Sequence, residues 1–225
     1  MKYYSIGRSN EIDVIGFYPQ TKRTSKSGFH FDDYNSERQV NPNVFPDFEP
    51  NFGLDLNPQA KETDILDSAA CLSFGIIISE KLKLILEEYA LPPHRFYPIK
   101  VYDSIEQYYW FHYISKIEKS IDFKSTTIEI YVSRPPFKTQ EIKTFNSQEE
   151  LMNFKREMSY KSSMKFKSIC LTENFPKYDL FEITGAQYFT LISHKLMKRL
   201  KDEKITGFEY QEYDKIRTTP NNGYN

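Results

Sequence analysis

Ile76-Ile77-Ile78-Ser79-Glu80-Lys81-Leu82-Lys83-Leu84-Ile85-Leu86-Glu87-Glu88 carries two hydrophobic periods in one short stretch. The isoleucine run suits a strand. Leu82 and Leu86 stand four apart with Ile85 beside them, which is one buried face of a helix. Ser79 stands at the junction, where its oxygen can accept from the free amides of the first turn, an effect worth about 1 kcal/mol. Pro92-Pro93 must end the helix by Leu91. The chain then spells the same pattern again: Leu191-Ile192-Ser193-His194-Lys195-Leu196-Met197, followed by Leu200 and Lys201-Asp202, with Gly207 as a C-terminal stop. The entries correspond, Asp64-Ile65-Leu66-Asp67 against Asp179-Leu180-Phe181-Glu182. So do the aromatic exits, Phe96-Tyr97-Pro98-Ile99 against Phe208-Glu209-Tyr210.

Each unit, 64–103 and 179–214, reads strand, short helix, strand. Two copies are too few for a solenoid and imply two related halves. The predicted fold class is α+β: a mixed or mostly antiparallel sheet with a few short helices. The predicted organisation is a single compact domain over 1–225. It has an irregular N-terminal segment 1–63, central strands and a helix over 104–178 between the two units, and a frayed tail 215–225. A division into two small domains near Arg134-Pro135-Pro136 is the alternative.

Outside the repeated units, Tyr3-Tyr4-Ser5-Ile6 and Asp13-Val14-Ile15-Gly16-Phe17 read as short strands. Thr21 to Ser27 reads as an exposed basic loop. Tyr108 to Ile114 holds so many aromatic rings that it suits a strand buried on both faces. Thr126 to Val132 alternates as a strand does, and Met164 to Leu171 is another strand candidate. Ser147 and Glu150 form a capping box that opens a helix through Leu151, Phe154 and Met158.

The 225 residues carry a net charge of -1, so a general polyanion binder is not indicated. Charge is nevertheless segregated. From Phe29 to Ala70 there are nine acids against two bases, and prolines 42, 46, 50 and 58 keep much of this segment irregular, pinned by Phe45, Phe48 and Phe52. Cys71 and Cys170 are too few for a disulfide scaffold and read as core residues. No apolar run reaches membrane-spanning length, and Met1-Lys2-Tyr3-Tyr4 opens no secretory signal, so the expected compartment is the cytoplasm.

Catalytic patterns are scarce. There is no glycine-rich phosphate loop and no nucleophile elbow. His30-Phe31-Asp32-Asp33 is the one cluster of metal-ligand types, and it supports a metal-assisted hydrolase built on His30, Asp32 and Asp33 as the alternative function. The leading expectation has no cofactor and no metal. Ser79 and Ser193 are helix caps in this reading, not nucleophiles.

The stretch Ile76 to Glu88 resembles the signature of a bacterial domain family known as an immunity domain of polymorphic toxin systems. Phe96-Tyr97-Pro98-Ile99, Tyr108-Tyr109 followed by Ile121-Asp122-Phe123, and Thr206-Gly207-Phe208-Glu209-Tyr210 extend the resemblance over roughly 45–213. The resemblance implies a stoichiometric protein binder, without catalytic residues, that neutralises a cognate toxin. The candidate partner-binding residues are Asp32, Asp33, Glu37, Asp47 and Glu49, with Tyr109 and Trp110 as anchors. Acids fit a toxin with a basic cleft; tryptophan is enriched at binding hot spots. No membrane and no direct nucleic-acid contact is expected.

Overall fold

The computed structural model describes residues 2–26, 28–30, 32–67 and 74–218. Cys71 lies outside the described residues. The chain gathers into two compact units, each built from separated stretches. The N-terminal unit takes 6–114 and 195–210; the C-terminal unit takes 2–5, 115–194 and the described part of the tail from 211.

Strand β1 (Tyr3–Arg8) opens the chain. The N-terminal unit then holds helix α1 (Ile12–Ile15), β2 (Thr21–Arg23), β3 (Gly53–Leu56), β4 (Ile65–Leu66), β5 (Ile76–Ser79), α2 (Glu80–Leu86), β6 (His94–Tyr102) and β7 (Tyr108–Tyr113). Its sheet has the order β2-β3-β6-β7-β5-β4, with β3 and β6 parallel and the other pairs antiparallel. The aromatic strand is where the sequence puts it: in β7 every residue but the half-buried Tyr109 is buried. Its pleat places Tyr108, Trp110 and His112 on one face, where Trp110 packs with Phe52, Leu54, Leu66, Ile77 and Tyr97.

The C-terminal unit holds β8 (Thr127–Val132), β9 (Thr139–Lys143), α3 (Gln148–Glu157), β10 (Ser162–Leu171), β11 (Leu180–Ile183) and β12 (Phe189–Ser193). Helix α4 (His194–Asp202), β13 (Phe208–Tyr213) and β14 (Ile216–Thr218) complete the chain. One sheet runs β14-β10-β8-β9 and another β11-β12-β1-β13. The core collects Tyr3, Ile128, Leu151, Phe166, Phe181 and Leu191. Burial, then the charge of Asp179, pushes the Tyr3 hydroxyl up to about 12. The architecture is α+β, as the sequence predicts.

The two serine stretches are built alike. In β4 and β5, Ile65 faces Ile78; the Ser79 amide donates to the Asp64 carbonyl at 2.9 Å and its hydroxyl to Asp64 Oδ1 at 2.8 Å. In β11 and β12, Leu180 faces Ile192; the Ser193 amide donates to the Asp179 carbonyl at 2.8 Å and its hydroxyl to Asp179 Oδ1 at 2.6 Å. Ser79 also accepts from the Leu82 amide, the cap its position predicts. The strand returning from each helix lies two places along from the strand that enters it: β4-β5-β7-β6 and β11-β12-β1-β13. The strand in between comes from just after the first unit in one case and from near residue 3 in the other.

Several local expectations change. Asp13–Phe17 is no strand: Ile12–Ile15 coils into a helical turn closed by the Gly16 amide on the Ile12 carbonyl at 2.7 Å, with Gly16 at φ 75°. Thr21–Arg23 pairs with β3 instead of looping, while Ser27 lies outside the described residues. Arg134-Pro135-Pro136 is the turn of the β8–β9 hairpin, not a division between domains. Helix α4 exits through left-handed Lys204; Gly207, three residues on, serves another purpose. Of the tail 215–225 expected to fray, residues 216–218 pair with β10, and 219–225 lie outside the described residues. Ser147 caps α3 through the Glu150 amide, and Glu150 reaches back one residue further than a capping box requires, to Asn146 at 2.7 Å.

Candidate functional site

The acidic segment lies in the N-terminal unit, and the structure sorts seven of its nine carboxylates into two kinds. Three are structural. Glu37 is buried and takes both arms of the Arg23 guanidinium, with Nη2 to Oε2 at 3.1 Å and Nη1 to Oε1 closer. Asp67 accepts from Arg8 at 2.7 Å, its backbone held by Gln20 and Thr21. Asp64 joins Ser79 to Thr206, whose amide donates to Oδ2 at 2.9 Å. The other kind faces water. Asp32, Asp47 and Glu49 are exposed, Asp33 partly so. Among the described residues no ion pair engages these four.

Those exposed acids sit on backbone that is irregular yet fastened. Ser36 caps a 3-10 turn over Glu37–Gln39, and its bridge to Asn51 is joined by the Asn51 amide on the Asn35 carbonyl at 2.8 Å. Beyond it, residues 41–50 form a strap across the sheet face that carries Trp110. Arg95 donates to the Pro46 carbonyl at 2.7 Å, and His112 Nε2 lies 3.2 Å from the Pro42 carbonyl. Phe45 is held between them, 5.0 Å from the His112 ring and 5.2 Å from the Arg95 guanidinium. Phe48 packs against the core and Phe52 is buried in it. Burial, then the Arg95 charge, holds the His112 imidazole below its ordinary range against the opposing pull of the Pro42 carbonyl. Glu49 lines a shallow depression of about 310 Å³ with Phe29, Asn35, Pro98 and Lys100.

The anchors expected from sequence are elsewhere. Trp110 is wholly enclosed, its ring nitrogen donating to the Phe74 carbonyl at 3.2 Å, so it is a core residue. Tyr109 points to the opposite sheet face by the pleat, where its hydroxyl meets Glu80 at 3.4 Å beside Lys83. Glu37 is equally withdrawn from the surface. The residues that do present apolar area beside the acids are Tyr34, 80% exposed, and Val44, 59% exposed. A signal for Tyr34 was available: it stands in Asp32-Asp33-Tyr34-Asn35-Ser36, where turn formers leave no element to bury it.

His30, Asp32 and Asp33 do not converge as a metal centre. Among the described residues no three His, Cys, Asp or Glu side chains are grouped to hold an ion. Asp33 Oδ2 faces the His30 amide at 3.4 Å, as a turn carboxylate does, and His30 is exposed. The metal-hydrolase expectation loses its geometric basis. Among the described residues no helix is long and apolar enough to cross a membrane.

A family model described as an immunity protein family (Imm11) matches residues 4–215, almost the whole chain. No curated protein matches it.

Proposed function

The chain belongs to the Imm11 immunity protein family, and from that premise we propose that it neutralises a cognate toxin by stoichiometric binding. The carrying observation is the set of exposed acids, Asp32, Asp33, Asp47 and Glu49, held on irregular backbone that is fastened at Asn35–Asn51, Pro42 and Pro46. A segment already fixed before binding loses little freedom on contact. Its negative field attracts a basic protein surface and speeds encounter. Inhibition in this reading is occupation, with no bond made or broken, and the binder works in the cytoplasm. Tyr34 and Val44 supply the apolar contact that Trp110, in the core, does not.

The test begins with recovery of the toxin encoded beside this gene at near one-to-one stoichiometry. Association kinetics then compare the native protein with a triple variant, Asp32→Lys, Asp47→Lys and Glu49→Lys. The expected result is a fall in association rate of about tenfold or more at low salt, with the salt dependence flattened. Unchanged rate and unchanged salt dependence would remove these acids from the mechanism.

A further inference from the structure

His112 is the one buried histidine among the described residues, and half of its ring finds no hydrogen-bond partner among them. A carbonyl can only accept, so Nε2 carries the hydrogen that points to Pro42, at 3.2 Å. Nδ1 is buried with no hydrogen-bond partner. The ring is boxed by Phe45 at 5.0 Å, Phe74 at 4.9 Å, Trp110 at 5.7 Å and Tyr97 at 6.3 Å. The charged or titratable neighbours are Arg95, its cross-strand partner, and the Tyr97 phenol, which is buried beside Arg95. No carboxylate contacts the ring among the described residues. A proton arriving at Nδ1 would create a second donor without an acceptor and a second cation beside Arg95, in a site of aromatic faces. Water admitted from the side that the strap covers relieves both.

We infer that residues 41–50 are a pH-released strap: it closes over His112 while the ring is neutral, and it is let go when Nδ1, buried without an acceptor, takes a proton, even though the Nε2 bond to Pro42 favours the charged ring. This deepens the proposed function and rests on it for its meaning, because the strap carries Asp47 and Glu49. The sign is fixed by where the proton binds better. The released state offers an ordinary imidazole, with pKa of about 6.5. The closed state holds the ring below that value. Closure is therefore complete above about pH 6.5 and weakens by up to about tenfold per pH unit as pH falls below it, until the lower, closed-state pKa is passed.

The experiment is amide hydrogen exchange over residues 41–50 at pH 7.5 and 5.5, corrected for intrinsic exchange, in the native protein and in His112→Gln. Glutamine keeps a donor near the Nε2 position and never titrates. The native strap should open more at pH 5.5, by at most about tenfold, while the variant stays level. Equal opening at both pH values, or the same pH response in the variant, overturns the latch. Should the variant fail to fold, imidazole titration of the native protein by NMR decides: a His112 midpoint under 6.5 supports the latch, and one at or above 6.5 defeats it. Neither readout involves the toxin. Absence of toxin binding at both pH values, with the strap opening as described, would defeat the immunity mechanism alone.

Discussion

Glu37 and Arg23 meet with almost no water around them, their side chains 1% and 15% exposed. A carboxylate in that position is committed to its guanidinium and contributes to a partner only through the shape of the loop. Removing one member of such a pair strands the other charge, which typically costs about 3 kcal/mol or more. Glu37→Ala is therefore expected to lower thermal stability by that amount, read by a calorimetric or circular-dichroism melt. A change within about 0.5 kcal/mol, the usual range for a surface acid, would contradict this. The distinction between Glu37 and Asp32 was invisible in sequence: both are acids in a turn-rich stretch, and only the fold brings β2 with its Arg23 under one of them. Trp110 repeats the lesson. Its type suits an anchor and a core residue equally well, and alternation along β7 decides between them.

At the scale of elements, what was legible was local. The period of Leu82 and Leu86, the Ser79 cap, the capping serine at 147 and the alternation of β8 all act within a few residues, and each element lies where its pattern puts it. What failed depended on distant chain. Thr21–Arg23 is polar and reads as a loop, but β3, some thirty residues on, offers it an edge. Gly207 reads as a helix stop, yet its φ of 85° and its closeness to the Ile65 carbonyl and to Thr63 make it a close-approach glycine. There the Ser9 amide reaches the Gly207 carbonyl at 3.0 Å and the Ile65 amide the Thr206 carbonyl at 3.1 Å, so the β4 entry is sewn to the chain just after α4. A Cβ at 207 would sit inside the Ile65 carbonyl and press on Thr63, and left-handed backbone strain adds to the clash. Gly207→Ala is expected to destabilise by about 3 kcal/mol or more, measured as a lower urea midpoint at unchanged slope. A shift below about 1 kcal/mol would mean that this junction yields easily.

On the scale of the molecule, each compact unit depends on chain that arrives late. The N-terminal unit draws Leu196, Met197, Leu200 and Ile205 from the stretch 195–210, all buried. Burial of such side chains is worth about 2 kcal/mol each, and together they rival the roughly 5–15 kcal/mol that keeps a domain folded. A fragment of residues 6–114 is accordingly expected to lack a cooperative thermal transition. A sigmoidal melt at the temperature of the intact chain would show that the later stretch is dispensable. The same arrangement sets a clock. Strand β1 lies in its sheet between β12 and β13, so its neighbours are some 180 residues downstream. At ribosomal speeds of about 5–20 residues per second, β1 waits roughly ten to forty seconds before either neighbour exists. Under the proposed function, a binder with this topology gives no protection while it is being made. A cell that relies on it must either begin its synthesis ahead of the poison or keep a finished stock in reserve.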